Sequence, residues 1–325
     1  MRTVLSLITV GLLALGCVAM GADVELVRDE DYHHHALTTW GSSWAVARGN
    51  DVEIWSLEHL GGPRRTLRGH ESEVSVLEAS PDGKWLAVGE DGGGRISVWE
   101  LDRGQRLTWT PPGADGPVEY LAGHQYTVWA LAFCPQGELL ASGAYDNQIR
   151  LWDISTGMEV GVLREHRSWI RSLDFSPNGS ILASSSCDGT IRLWDVDSLR
   201  EVHSPIEAGL NAYSVSFSPD GALLATVTNP GETLVYETEG WSEQWSYALP
   251  QRSATFVVSF SPDGSLVATG GRGGRVELRD ARTGNLVQEL EGHSAAVWGA
   301  AFLADGNHLV TTDTDGEMRV WRLDR

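Results

Sequence analysis

The sequence is poor in positive charge and in cysteine. Its 24 lysine and arginine residues are outnumbered by 44 aspartate and glutamate residues, so the formal net charge is −20. A surface of this sign repels nucleic-acid phosphates and anionic lipid, which argues against nucleic acid as a partner. Beyond the first 22 residues the only cysteines are Cys134 and Cys187, and we expect both thiols to be free. The glycine-rich segments are not followed by Gly-Lys-Ser/Thr, and no cofactor is expected.

Residues 1–22 have the composition of a secretory signal peptide. Arg2 is the only charge before Asp23, and Val4 to Leu15 is an apolar run. Leu13-Ala14-Leu15-Gly16-Cys17 resembles a bacterial lipobox, which would place a lipid on Cys17. A conventional cut after Ala19-Met20-Gly21 and an uncleaved anchor are the alternatives, although the segment is weakly hydrophobic for a spanning helix. We therefore expect an exported protein, either a cell-envelope lipoprotein or a periplasmic or extracellular protein.

The remaining residues, 23–325, are an array of repeats. A turn of the type Ser-Pro-Asp-Gly recurs six times, at intervals of 42 to 54 residues, beginning at Ser80, Cys134, Ser176, Ser218, Ser261 and Leu303. Proline, Asp or Asn, and Gly in this order favour a tight turn between two strands. A third strand in each unit ends at an equivalent position, which is occupied by Trp55, Trp99, Trp152, Trp194, Tyr236, Arg279 and Trp321. These seven positions predict seven units.

Two pairs of residues recur in phase with the turns. Gly123-His124 opens a unit that closes with Trp152-Asp153, and Glu165-His166 opens one that closes with Trp194-Asp195. This pattern resembles the WD-repeat family. The resemblance implies an all-β fold, a seven-bladed β-propeller of four-stranded antiparallel blades forming one domain over residues 23–325. The last unit ends after its third strand, so we expect residues 23–29 to supply its outer strand and close the ring.

The resemblance also assigns a structural role to residues that could pass for catalytic triads. It implies a buried hydrogen-bond network in three blades, formed by His124, Ser142, Asp146 and Trp152; by His166, Ser184, Asp188 and Trp194; and by His293, Thr311, Asp315 and Trp321. A mechanism does not need three nucleophiles, so we expect no catalytic residues.

No metal site is expected either. Neighbouring residues of His33-His34-His35 point to opposite sides of a strand, and no second ligand cluster accompanies them. Asp313-Thr314-Asp315-Gly316-Glu317 resembles half of a calcium loop, but Asp315 is already assigned to the network of its blade.

The start of each innermost strand is unusually rich in aromatic residues. In the WD-repeat family these positions lie at the rim of the central channel, on the face that carries the Gly-His pairs. The expected partner-binding residues are Trp129, Arg171, Tyr213, Phe256 and Trp298, with Trp169 and Tyr145 nearby. Trp, Tyr and Arg are enriched in binding hot spots. The alternative is that these rings pack together and plug the channel.

These observations predict a non-enzymatic, monomeric scaffold of the cell envelope that binds a peptide or protein on its Gly-His face. Its only membrane attachment would be the lipid on Cys17. The alternatives are a propeller enzyme or a glycan- or small-molecule-binding protein that uses the channel mouth, and a purely structural envelope protein. Fold alone does not choose between them.

Overall fold

A computed structural model shows a ring of seven antiparallel β-sheets, which confirms the predicted seven-bladed propeller. The structure describes residues 36–110, 112, 115–249 and 253–323, together with the backbone of residues 24–27. Cys17 and the rest of the predicted signal peptide, and also His33-His34-His35, lie outside the described residues. Within this described part, no helix is long and apolar enough to cross a lipid bilayer.

The blades follow one another along the chain, and each begins with its innermost strand. Blade one contains β2 (Leu37–Trp40), β3 (Ser43–Arg48), β4 (Asp51–Ser56) and β5 (Arg65–Leu67). Blade two contains β6 (Val74–Ala79), β7 (Trp85–Glu90), β8 (Arg95–Glu100), β9 (Gln105–Arg106) and β10 (Leu121–Ala122). Blade three contains β11 (Val128–Phe133), β12 (Leu139–Ala144), β13 (Ile149–Asp153) and β14 (Met158–Leu163).

The remaining blades have the same order. Blade four contains β15 (Ile170–Phe175), β16 (Ile181–Ser186), β17 (Thr190–Asp195), β18 (Arg200–Glu201) and β19 (Ile206–Glu207). Blade five contains β20 (Asn211–Phe217), β21 (Leu223–Asn229), β22 (Glu232–Glu237) and β23 (Ser242–Ala248). Blade six contains β24 (Thr255–Phe260), β25 (Leu266–Gly271), β26 (Val276–Asp280) and β27 (Leu286–Leu290). Blade seven contains β28 (Val297–Phe302), β29 (His308–Asp313), β30 (Met318–Arg322) and β1 (Val24–Val27).

The recurring Pro turn joins the first and second strands of its blade through side-chain hydrogen bonds. In blade four, the amide of Gly179 donates to the carbonyl of Ser176 at 2.7 Å, and Ser176 Oγ donates to Asn178 at 2.8 Å. The Ser176 hydroxyl also accepts the amide of Ile181 at 2.9 Å. Gly179 has a φ of 76°, a conformation that favours glycine. The sequence of the turn therefore sets where each hairpin reverses.

The N-terminal strand closes the ring, as the sequence predicts. β1 pairs antiparallel with β30, with Val24 opposite Trp321 and Val27 opposite Met318. Side chains also join blades one and seven, because the indole of Trp44 donates to the sulfur of Met318 at 3.0 Å. Backbone pairing and side-chain contact thus join the two ends of the ring.

The hydrophobic core lies between neighbouring blades. Ala141 of blade three and Leu182 of blade four belong to one cluster, and both side chains are fully buried. Trp44 of blade one and Val310 of blade seven belong to the cluster at the point of closure. Since every blade packs against two neighbours, the ring buries apolar surface on both faces of each sheet.

The insertion in blade two is anchored on blade three. It splits the outer strand of blade two into β9 and β10, and Trp109 and Val118 pair within it. The indole of Trp109 donates to the carbonyl of Ile154 at 2.8 Å, and this ring is 5% exposed. A Cβ at Gly157 would overlap the Trp109 ring, so glycine is required there. The proline and glycine residues around 110–117 predict a surface loop, but the sequence gives no sign of this anchor.

Candidate functional site

Three blades each hold a buried set of four polar and aromatic side chains, which we call the polar quartets. In blade three, His124 Nε2 lies 2.8 Å from Ser142 Oγ, and His124 Nδ1 lies 2.9 Å from Asp146. The indole of Trp152 donates to Ser142 Oγ at 2.8 Å. Blade four repeats these contacts at 2.7 to 2.9 Å with His166, Ser184, Asp188 and Trp194.

The serine hydroxyl groups of the quartets are not accessible to a substrate. Ser142 and Ser184 are 0% exposed, and each hydroxyl is already bonded to a histidine and a tryptophan. Burial would raise the pKa of Asp146, but the interaction with His124 and the hydrogen bonds from the amides of Gln148 and Gln125 together lower it. The pKa of Asp188 is lowered in the same way by His166. The carboxylates therefore stay ionised and hold the histidines in place.

The quartet of blade seven uses a different aspartate from the one the sequence indicates. His293 Nδ1 lies 2.8 Å from Asp313, whereas Asp315 is exposed in the following turn. Asp313 lies two residues after Thr311 on β29, so both side chains point to the same face, and Thr311 lies 2.7 Å from His293 Nε2. Trp321 completes the set with a 2.7 Å bond to Thr311. The assignment of Asp315 to the network is therefore wrong.

Blade two replaces the missing members of its quartet with local partners. Val88 stands where blade three has Ser142, so the indole of Trp99 donates instead to Ser97 at 3.0 Å. His70 Nδ1 lies 2.9 Å from the carbonyl of Asn50, and burial lowers the pKa of this histidine.

Blade six replaces the tryptophan with a buried ion pair. Arg279 occupies that position, and its Nε donates to Glu277 at 2.9 Å, with both side chains about 5% exposed or less. The guanidinium of Arg279 lies 3.3 Å from the centre of the Tyr247 ring. In blade six an ion pair therefore stands where other blades have a tryptophan indole.

His293, Asp313 and Glu317 are close enough together for one metal ion, since one ligand atom of each lies within 4.8 Å of the others. All three groups already have protein partners. Glu317 lies 2.6 Å from Arg319, and Asp313 accepts the amide of Glu317 at 2.9 Å. We attribute this cluster to the polar quartet.

The seven residues predicted to bind a partner form one continuous cluster, which we call the aromatic arc. Its members, in order around the channel mouth, are Trp129, Tyr145, Trp169, Arg171, Tyr213, Phe256 and Trp298. Tyr145 stacks between Trp129 and Trp169, with ring centroids 5.6 and 4.2 Å away. The guanidinium of Arg171 lies 5.3 Å from the Trp129 ring and 5.4 Å from the Tyr213 ring. Five blades contribute to the arc because each innermost strand begins at the same level of the channel.

The arc borders an unfilled cavity. A space of about 380 Å³ is lined by Trp129, Arg171, Tyr213, Phe256 and Trp298, among other residues. Trp169 is 42% exposed, Phe256 is 8% exposed, and the other members are half-buried. Burial raises the pKa of Tyr145, and the charge of Arg171 opposes this effect. The rings pack on one another, yet they leave faces and edges open to a ligand.

Two further exposed residues lie on the segments that lead into innermost strands. Tyr126 is 57% exposed shortly before β11, and Leu210 is 71% exposed directly before β20. An alignment of the repeats on their strands does not single these residues out, because both precede the aligned positions. The sequence signal that could have identified them is an apolar residue shortly after the Gly-His position of a unit.

Comparison with known proteins agrees with the fold and with these repeats. The family model described as "WD domain, G-beta repeat" matches residues 61–100, 116–153, 157–195, 252–280 and 284–322. A component of mouse "Chromatin assembly factor 1" is 28% identical over 171 residues, which cover 45% of this chain and 28% of that protein. "Nuclear distribution protein nudF" of Aspergillus niger is 33% identical over 129 residues, which cover 38% of this chain and 27% of that protein.

A third relative, "Nuclear distribution protein PAC1" of Arthroderma otae, is 29% identical over 136 residues, or 38% of this chain and 27% of that protein. The chain thus spans just over a quarter of the length of these relatives. The segments that the family model matches make up more than half of the chain, and they coincide with blades that carry the turns and quartets. The chain belongs to the WD domain, G-beta repeat family.

Proposed function

We propose that this chain is a non-enzymatic scaffold that binds a peptide or protein partner at the aromatic arc. The observation that carries the proposal is the cavity of about 380 Å³ bordered by five members of the arc. Rings that served only to plug the channel would fill this space and bury their faces. Partly exposed Trp, Tyr and Arg side chains around one depression are instead typical of a binding hot spot.

The shape and chemistry of the arc favour a partner that inserts an apolar or aromatic side chain. The stacked rings of Phe256 and Trp298 line the cavity, and so does Trp129, which stacks on Tyr145. These rings are already held by their neighbours, so they lose little side-chain freedom when a ligand binds.

Photo-cross-linking tests the proposal. Because Lys84 is the only lysine in the sequence, amine-reactive reagents are unsuitable, and p-benzoylphenylalanine in place of Tyr126 is used instead. The purified protein is irradiated in an extract of the source cells, and adducts are identified by mass spectrometry. Adducts should be lost in the Trp129→Ala/Trp298→Ala variant and retained in Trp129→Phe/Trp298→Phe, which keeps stacking rings.

A control pair of substitutions lies on exposed apolar residues outside the arc. Val202 is 46% exposed and Val287 is 58% exposed, on other parts of the outer surface. Val202→Ala/Val287→Ala should leave the adducts unchanged. Identical adducts in all variants would contradict binding at the arc.

A glycan or small molecule is the second candidate ligand, because the cavity volume lies within the range of small-molecule sites. A screen of sugars and hydrolase substrates against the same variants distinguishes the two. Turnover or saturable sugar binding that is lost in Trp129→Ala but kept in a folded Asp188→Ala variant would favour this candidate.

We further propose that residues 1–22 direct export and that Cys17 carries a lipid, so that the scaffold acts as a monomer at the cell envelope. The support is the apolar run followed by the lipobox-like sequence. The intact mass of the protein from the membrane fraction tests this. A mass that begins at Cys17 with added acyl chains is expected, and an unmodified chain that begins near Asp23 would indicate plain secretion.

A further inference from the structure

A second and larger concave surface lies at the end of the blades where the Pro turns are. We call it the acidic groove; its volume is about 970 Å³. The Pro turns of blades two, three and four, the turns that follow the third strands of blades three and four, and the insertion of blade two all line it. The arc lies at the opposite ends of the same strands, so the two surfaces are separate.

Acidic side chains surround the groove. Asp82, Glu138, Asp153 and Asp197 line it, and among the described lining residues Lys84 is the only basic one. The hydrogen bond from Ser80 is the main cause of the lowered pKa of Asp82. The hydrogen bond from Ser155 is the main cause of the lowered pKa of Asp153. Both carboxylates are therefore ionised at neutral pH, and the groove presents several negative charges to one positive charge.

Apolar side chains lie among these acidic groups. Trp85, Leu107 and Val196 are half-buried there, and Val160 is 51% exposed. The ammonium group of Lys84 lies 4.5 Å from the centre of the Trp85 ring, which shows that this ring face already accepts a cation.

The insertion of blade two builds one wall of the groove. Leu107 and Trp109 of its stem line the groove, and the bond from Trp109 to Ile154 fixes this wall to blade three. The insertion occurs once in the sequence, so this wall is specific to one sector of the ring.

We propose that the acidic groove binds a basic peptide segment in which arginine or lysine alternates with aliphatic residues. In an extended peptide, alternate side chains point to opposite sides, so one set can pack on Trp85 and Val160 while the other reaches the carboxylates. The negative charge of the groove disfavours nucleic acid and favours a partner of positive charge. This inference is independent of the partner at the arc.

Fluorescence anisotropy with two labelled twelve-residue peptides tests the proposal. One peptide alternates arginine and leucine, and the other has glutamate in place of every arginine. The proteins are the wild type, the groove variant Glu138→Lys/Asp197→Lys, and the control variant Glu58→Lys/Glu239→Lys. All four substituted residues are exposed, and the control changes the net charge equally in the turns that follow the third strands of blades one and five.

The arginine peptide should bind the wild type, and the glutamate peptide should not. The groove variant should weaken binding about tenfold or more, and the control variant less than about twofold. In the wild type, the bound peptide should also protect Lys84 from reductive methylation, which mass spectrometry measures. Thermal melts establish that every variant is folded.

Three results would overturn the proposal. Equal weakening by the groove and control variants would indicate general attraction to an acidic surface. Methylation of Lys84 at an unchanged rate in the presence of bound peptide would place the peptide elsewhere. Equal binding of the two peptides would show that the charge of the peptide does not determine binding.

Discussion

Phe256 and Trp298 lie face to face, with ring centroids 4.2 Å apart and ring planes within 8° of parallel. Each is the second residue of the innermost strand of its blade, Phe256 in blade six and Trp298 in blade seven. Equivalent repeat positions therefore become direct neighbours when the ring closes. The same rule brings Trp129, Arg171 and Tyr213 to the channel mouth, whereas Tyr145 follows β12 and Trp169 precedes β15.

The Phe256 and Trp298 stack should be measurable as a coupling free energy. Phe256→Ala and Trp298→Ala should each lower the free energy of unfolding, and the double variant should lose less than the sum by about 1 kcal/mol. Urea denaturation of the four proteins measures this. A coupling near zero would show that the rings act independently.

The two aspartates of blade seven should differ sharply in their contribution to stability. Asp313→Asn removes the charge that holds His293, and it should lower the free energy of unfolding by about 2 kcal/mol. Asp315→Asn, in the exposed turn, should change it by less than about 0.5 kcal/mol.

The contribution of Asp313 to the free energy of unfolding should also depend on pH. Burial would raise the pKa of Asp313, but the partner His293 lowers it, so the stabilisation by Asp313 should disappear as the pH falls below about 4. Similar losses for both variants in urea denaturation would contradict the assignment of Asp313.

Glu78 should make the stability of the protein decrease towards alkaline pH. It lies on the innermost strand of blade two, where burial and then the charge of Asp174 raise its pKa to about 8. The unfolded chain releases this proton near pH 4, whereas the folded chain keeps it until about pH 8. Folding is therefore opposed increasingly between these two values. Glu78→Gln should stabilise the protein at pH 8 by on the order of 1–3 kcal/mol and change little at pH 4.

The matched control for Glu78 is Glu58→Gln, an exposed glutamate in blade one. It should leave the dependence of unfolding free energy on pH unchanged. Thermal and urea unfolding at both pH values measure the two variants. An equal effect of Glu78→Gln at pH 4 and pH 8 would show that the pKa of Glu78 is the same in the folded and the unfolded chain.

Removal of the N-terminal strand should open blade seven. A chain that begins at Glu30 lacks the strand that pairs with Met318 to Trp321, and its Tm should fall by about 10 °C or more. Deletion of residues 110–116, from the insertion loop, removes a similar number of residues and should lower the Tm by only a few degrees, about 4 °C at most. Equal melting of a chain that begins at Glu30 and of a chain that begins at Asp23 would contradict closure by this strand.

Residues that recur in phase could be predicted well. The positions of the Pro turns and of Trp152 and Trp194 predict blade number, strand order and two polar quartets. This works because every repeat follows the same local sequence pattern. A unit that was placed wrongly would change the regular spacing between repeats. Blade seven is irregular, because the spacing of the other quartets points to Asp315, 22 residues after His293, whereas the aspartate that contacts His293 is Asp313, 20 residues after it. The direction of the side chain on β29 chooses Asp313.

The sequence by itself determined the repeat, the turns and the deficit of positive charge, because these need no contact between blades. The resemblance to the WD-repeat family implied which positions of each unit lie at the rim of the channel. Only the tertiary structure decided which aromatic rings touch, that Trp109 anchors the insertion on blade three, and that carboxylates from three blades line one groove. Contacts between blades depend on the curvature and closure of the ring, so residues far apart in sequence meet only when all seven sheets are in place.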